Sequence, residues 1–241
     1  TDISALAGLT KLTLLDVNNS KALQNINQLA GLTNLEELGL AGTGVLDISA
    51  LRNLKKLRKL DMAKDQLSDV RALAGLTALE ELSLAENKIS DLSFLADLSR
   101  LKTLDLSSNQ FNDANLTNVA NLSKLKTLNL DRNNISNIRA LAGLAKLEYL
   151  HLANNNLSDL SPLYKMENIH TIYLANNPGL TKSEIINLQQ ALYHARVNKI
   201  TRGNPGANEE TLLKLTARIK KPRVEHSVDL SGRAPSSRSR P

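Results

Sequence analysis

The chain has 241 residues, a net charge of +6, no cysteine and no tryptophan, with only four Tyr and two Phe. That composition excludes a disulfide-stapled scaffold and Cys-based zinc sites, and no apolar run approaches the roughly 18 residues of a membrane-spanning helix. Residues 1–200 hold 21 Lys+Arg against 20 Asp+Glu (+1) and residues 201–241 hold 9 against 4 (+5), so the basic character belongs to the C-terminal tail; the body has no general positive field, and nucleic acid is not expected to bind there.

Thr1 to Gly8 reads as the back half of a repeated unit. The start of the chain is therefore expected to lie inside a longer protein, with any signal peptide or N-terminal cap upstream. Similar units then begin at Leu9, Leu32, Leu54, Leu76, Leu98, Leu122, Leu144 and Met166; most have 22 residues, the first 23 and the fifth 24. In Glu81-Leu82-Ser83-Leu84-Ala85 of the fourth unit, apolar residues alternate with others, the period of a half-buried strand. Leu82 and Leu84 point inward with Leu79, while Ile89, Leu92 and Leu95 give the returning limb its buried face. One unit cannot bury that face alone, so stacked units share one core.

After each strand the chain must turn, and an Asn there offers donors and an acceptor to unpaired backbone groups. Asn87, Asn109, Asn133, Asn155 and Asn177 hold this place from the fourth unit on, whereas the first three carry Ser20, Thr43 and Asp65. None of those three offers the same paired geometry, and the N-terminal third is expected to be looser. The two extra residues of the fifth unit fall around FNDANLTNVAN. Phe111 is expected in the core, and the added length to bulge on the return side as a short helical turn. After Asn177, the segment PGLTKSEIINLQQALYHARV has Thr181 or Ser183 as a cap. Ile185, Leu188 and Leu192 then follow at helical spacing, with Ile186 and Ala191 widening the stripe. Such a helix would cover the end of the core, and Val197 to Ile200 are read as a last strand. In the tail, Asn208-Glu209-Glu210 starts a helix over 209–221 with an apolar stripe at Leu212, Leu215 and Ile219, stopped by Pro222. SGRAPSSRSRP beyond it is expected to be disordered.

LTNLEELGLAGTGVLDISALRN, LSKLKTLNLDRNNISNIRALAG and LAKLEYLHLANNNLSDLSPLYK share the pattern. It resembles the leucine-rich repeat family, specifically its 22-residue class, which includes bacterial internalins and Sds22-type phosphatase regulators. ISDLSFLADL and LSDLSPLYKM look most like internalin repeats. The resemblance implies an α/β repeat solenoid: a right-handed, curved horseshoe with a parallel concave sheet and a C-terminal helical cap. The expected divisions are repeats over 1–175, the cap over 176–200 and a basic tail over 201–241. The cap departs from internalins, whose repeats commonly lead into an immunoglobulin-like domain.

The resemblance also implies a non-enzymatic module that takes a protein ligand on its concave face, without cofactor or metal, as a monomer, and it favours secretion or the cell surface. The alternatives are an intracellular regulatory subunit of an enzyme, or the recognition segment of a larger effector. Alternation identifies the outward columns. Tyr149, His151 and Tyr173 fall together near the C-terminal end, beside the small Ala153 and Ala175. They are the expected anchor, with Thr127, Asn129, Asp131 and Arg132 as its rim; ordinary cross-strand pairing on a solvated sheet is the competing reading.

Asp16, Asp61 and Asp105 share a column on alternate coils, roughly 9–10 Å apart, too far to share one metal ion and read as a solvated face. His151 near Asp131 has no nucleophile or oxyanion site in support. Gly42 and Gly44 lack the context of a phosphate loop. The basic tail could meet a partner or an anionic surface; packing on the solenoid end is the plainer expectation.

Overall fold

The computed structural model describes residues 3–203 and 223–225, with side chains over residues 3–195. Every unit winds into the same coil. A three-residue strand is followed by a tight turn and a returning limb that usually carries a 3-10 helix. The strands are β1 (Leu14–Asp16), β2 (Glu37–Gly39), β3 (Lys59–Asp61), β4 (Glu81–Ser83), β5 (Thr103–Asp105), β6 (Thr127–Asn129), β7 (Tyr149–His151) and β8 (Thr171–Tyr173), joined by β9 (Arg223–Glu225). All pair in parallel and in chain order, which makes one sheet along one side of a curved solenoid.

Leu79, Leu82, Leu84, Ile89, Leu92 and Leu95 are each 2% exposed or less, and their equivalents in the neighbouring coils join them in one continuous core. Each such side chain contributes about 1.5–3 kcal/mol by leaving water. The first coil is different: Leu9 and Leu14 are about half exposed, and Leu12, Leu15 and Val17 are only partly buried. Among the described residues β1 has a neighbouring strand on one side only, and that difference accounts for the shallower burial.

Two ladders hold successive coils in register. In the first, a single asparagine amide spans two turns. Asn155 Nδ2 donates to Leu130 O (2.9 Å), Leu152 O (3.2 Å) and Ala153 O (3.3 Å), and its Oδ1 accepts from Ile135 N (3.1 Å). Asn87 repeats this with Met62 O, Leu84 O, Ala85 O and Leu67 N, as do Asn109, Asn133 and Asn177 with their own neighbours. In the second ladder, the residue before each ladder position is left-handed. Asn19, Gly42, Lys64, Glu86, Ser108, Arg132, Asn154 and Asn176 have φ between 53° and 67°. This reversal turns the chain inward after the strand, at a conformational cost for residues other than Gly and Asn.

Asp65 breaks the first ladder. Its Oδ1 accepts from Thr43 N (2.6 Å), Thr43 Oγ1 (3.1 Å) and Gly44 N (2.8 Å). Its Oδ2 is buried and has no hydrogen-bond partner. By equivalence with Asn87, that oxygen takes the place of an amide nitrogen that would donate to backbone carbonyls.

The fifth coil absorbs its extra residues on the returning limb. Asp113–Asn115 form a 3-10 turn that runs into α1 (Leu116–Val119), with Asn112 as the cap and Phe111, Leu116 and Val119 buried. The strands on either side stay in register, Thr103 opposite Thr127.

At the C-terminal end lies α2 (Lys182–Gly203), which Thr181 Oγ1 caps by accepting from Glu184 N (3.2 Å). Glu184 Oε1 accepts from Leu160 N (2.9 Å) and from the Tyr164 hydroxyl (3.1 Å), fastening the helix to the eighth coil. Leu188 and Leu192 are buried, but Ile186 is 51% exposed and does not widen the stripe. Val197 to Ile200 lie within α2, so the strand expected there is absent and the helix runs past residue 200 to Gly203. The last strand comes instead from Arg223–Glu225, within the segment read as tail, with Val224 opposite Ile172. Three residues outside the repeat pattern carry no periodicity to mark them. The helix expected over 209–221 and the coil beyond residue 225 lie outside the described residues.

Asn155→Ala is expected to lower stability by about 2–4 kcal/mol, because it leaves several buried backbone groups without partners; urea denaturation measures this. Asp65→Asn is expected to raise stability by about 1–2 kcal/mol, by turning a buried unpartnered acceptor into a donor. A lower thermal midpoint for Asp65→Asn would contradict this account of the ladder.

Candidate functional site

Register decides which outward side chains meet. Tyr149 lies opposite Thr171, and His151 opposite Tyr173. The rings of the three expected anchor residues therefore divide between two stacks. His151 and Tyr173 stack with ring centroids 4.2 Å apart and planes 23° from parallel. Tyr149 stacks instead on His170, at 5.9 Å and 19°. His170 was not among the expected residues. It falls one place before the outward column, a position filled by Glu36, Arg58, Glu80, Lys102, Lys126 and Glu148 in earlier coils. Reading that flanking column with the outward ones would have found it.

Thr127 and Asn129 are half-buried on β6, opposite Tyr149 and His151 respectively. Asn129 Nδ2 donates to Asp105 Oδ2 (3.1 Å), and its Oδ1 accepts from Asp131 N (3.0 Å). Asp131 Oδ1 accepts from Ala153 N at 2.6 Å, and Oδ2 stands 3.9 Å from His151 Nδ1. The second distance is too long for a hydrogen bond and leaves a through-space attraction whenever the imidazole is protonated. Burial pushes the Asp131 carboxyl above its ordinary value; the Ala153 N–H and the His151 charge oppose that rise. Arg132 is exposed in the left-handed column. Asp131 thus ties two coils together as well as bordering the stack, and the small Ala153 beside it is 8% exposed.

The acidic column is more than a solvated face. Asp16 Oδ1 accepts from Asn18 N (3.0 Å), Asp61 Oδ1 from Ala63 N (3.1 Å) and Asp105 Oδ1 from Ser107 N (2.9 Å). Each carboxylate closes the end of its own strand. Among the described residues no group of three or more His, Cys, Asp or Glu is placed to hold a metal ion. The concave depression of about 430 Å³ lies at the other end of the sheet, over β1 to β5. Gly39 deepens it, since a Cβ there would meet Asn18 Nδ2 at 2.8 Å and Asp16 Oδ1 at 2.9 Å. This depression was not anticipated; its signal was the single Gly in an outward column.

One flank carries a second charged ladder. Arg58 pairs with Glu36 (3.9 Å) and Glu80 (3.0 Å), Lys102 also reaches Glu80, and Lys126 pairs with Glu148 (2.9 Å). These exposed pairs contribute little stability each. They do set the signs presented along the edge of the sheet.

Family profiles described as leucine rich repeat match residues 99–157, and as two-copy leucine rich repeats match residues 77–118 and 145–188. A comparison with curated proteins gave no match. Among solved structures, an internalin (inlF) from Listeria monocytogenes is 33% identical over 79% of this chain and 62% of its own, with a TM-score of 0.65. Internalin C2 (inlC2) of the same organism is 34% identical over 70% of this chain and 83% of its own, with a TM-score of 0.62. The ectodomain of a plant membrane receptor kinase from Arabidopsis thaliana, solved in complex with Casparian strip integrity factor 2, shares the fold at 22% identity over 78% of this chain and 24% of its own, with a TM-score of 0.63. This chain thus spans less than two thirds of the first internalin. With these matches added to the coil geometry and the asparagine ladder, the chain belongs to the leucine-rich repeat family and is of the internalin-like type.

Proposed function

We propose that the chain is a non-enzymatic module that binds a protein ligand on its concave sheet, with Tyr149, His151 and Tyr173 as anchors. The observation that carries this reading is the pair of aromatic stacks on β7 and β8, in a chain with only four Tyr and two Phe. Stacked rings lose little freedom when a ligand covers them, and buried aromatic anchors dominate many interfaces. Thr127, Asn129, Asp131 and Arg132 form the rim, and His170 extends the anchor to the flank. The sheet is held by the ladders beneath it, so recognition asks for little rearrangement. The solved complex of the plant receptor ectodomain gives a precedent for ligand binding by this fold. Action outside the cell, as a monomer, is part of the proposal and draws on the likeness to internalins.

A second reading follows from the share of the internalin that this chain spans. The chain could be the recognition segment of a larger effector, with the same surface holding that protein's target. The intracellular regulatory subunit has no comparable observation in its favour.

Tyr149→Ala/Tyr173→Ala is expected to weaken a protein ligand isolated with the wild-type chain by at least about 100-fold, measured by titration calorimetry. Circular dichroism should be unchanged, since Tyr149 is 41% exposed. Wild-type affinity in the double variant would remove the anchor assignment.

A further inference from the structure

We propose that the flank leading into β5, β6 and β7 binds a sulfated polysaccharide, on a surface separate from the concave anchor and independent of it. The fifth and sixth units share the sequence Ser-(Arg or Lys)-Leu-Lys, at Ser99 to Lys102 and at Ser123 to Lys126. Thr103 lies opposite Thr127 and Thr127 opposite Tyr149, so the preceding residues stack in columns as well. Lys126 N donates to Lys102 O and Glu148 N to Lys126 O, both at 2.8 Å, which carries the coil register into this flank. Arg100, Lys124 and Lys146 therefore occupy one position on three consecutive coils, about 4.8 Å apart per step.

The neighbouring column neutralises itself, since Lys102 and Lys126 pair with Glu80 and Glu148. Arg100, Lys124 and Lys146 are exposed and, among the described residues, make no ion pair or side-chain hydrogen bond. The same column holds Ala78 on the coil before and Asn168 on the coil after, and the nearest acid in sequence, Glu148, is paired with Lys126. Three like charges thus stand together in a repeat body that is otherwise nearly neutral. Each close pair repels by about 1 kcal/mol in water before screening. Alternating signs one column away show that the fold can avoid this repulsion. An anionic polymer laid across the coils would relieve it.

The surroundings choose the polymer. The alternating residues Leu101, Leu125 and Leu147 are buried, so no apolar side chain is offered to a membrane here. β5 to β7 are interior strands with both edges paired, so an extended acidic peptide has no backbone edge to join. The column of Arg100, Lys124 and Lys146 contains no aromatic ring for nucleic-acid bases to stack on, and His170 at the end of the neighbouring column is already stacked on Tyr149. What is left is recognition of closely spaced anionic groups along an extended chain, as a sulfated polysaccharide presents them. Ser99 and Ser123 supply hydroxyls beside the column.

The test is binding of the full chain to heparin, by titration and by elution with salt. Arg100→Ala/Lys124→Ala/Lys146→Ala is expected to bind at least tenfold more weakly at about 0.15 M salt. The slope of log affinity against log salt should shrink by about two to three, through lost counterion release. The exchange Arg100→Lys/Lys124→Arg/Lys146→Arg should keep wild-type affinity, and circular dichroism of both variants should match wild type. A tail variant, Arg233→Ala/Arg238→Ala/Arg240→Ala, should keep most of the affinity. The proposal is overturned if the triple alanine variant binds heparin like wild type, or if the tail variant accounts for the whole loss. Desulfated heparin binding as well as heparin, or polyglutamate, single-stranded DNA or anionic vesicles binding more tightly than heparin, would overturn the choice of polymer.

Discussion

One asparagine amide per coil, from the fourth coil to the eighth, is the constraint on which the rest of this structure depends. The turn after each strand exposes carbonyls that the strand ladder cannot use, and the leucine-rich core beside them offers no partner. A side chain with donors and an acceptor at fixed spacing resolves both needs at once, reaching Leu130, Leu152 and Ala153 from one Asn155 and receiving the Ile135 N–H in return. Because the same atoms bind the coil before and their own, the interaction sets the distance between coils as well as the shape of each. The left-handed residue just ahead of it turns that amide inward. Leucines supply the driving force, and the asparagines decide which of many packed arrangements is adopted.

The surface inherits its order from that interior register. A strand of three residues presents few outward side chains, and each meets its equivalents and their flanking residues on adjacent coils. Columns are therefore the unit of surface chemistry here. One column joins His151 to Tyr173, while a ring from the flank reaches Tyr149. Another column brings carboxylates to the strand ends, where they accept their own backbone N–H groups. A residue's neighbours are set by the 22-residue offset more than by the chain around it.

The coil architecture was legible in the sequence because leucine spacing and the ladder asparagines repeat, and repetition leaves little freedom of interpretation. The short helix in the fifth unit and Phe111 in the core followed from the same logic. What repetition could not mark was less accessible. Arg223–Glu225 joins the sheet from outside the pattern, and Val197 to Ile200 continue a helix whose first turns are already fastened by Glu184. At the candidate site, alternation identified the outward residues and left their pairing open. Only the register shows that Tyr149 faces Thr171 and so finds its ring partner in His170.

The fifth unit shows where this scaffold accepts added length. Its surplus residues are taken up by α1 on the returning limb, while Thr103 to Asp105 and Thr127 to Asn129 keep their alignment. A foreign loop grafted between Asn112 and Asn121 would therefore project from the back of the arc and leave the front unchanged. That separation makes the limb a natural attachment point for a reporter group, with the ligand-facing side kept as its own control.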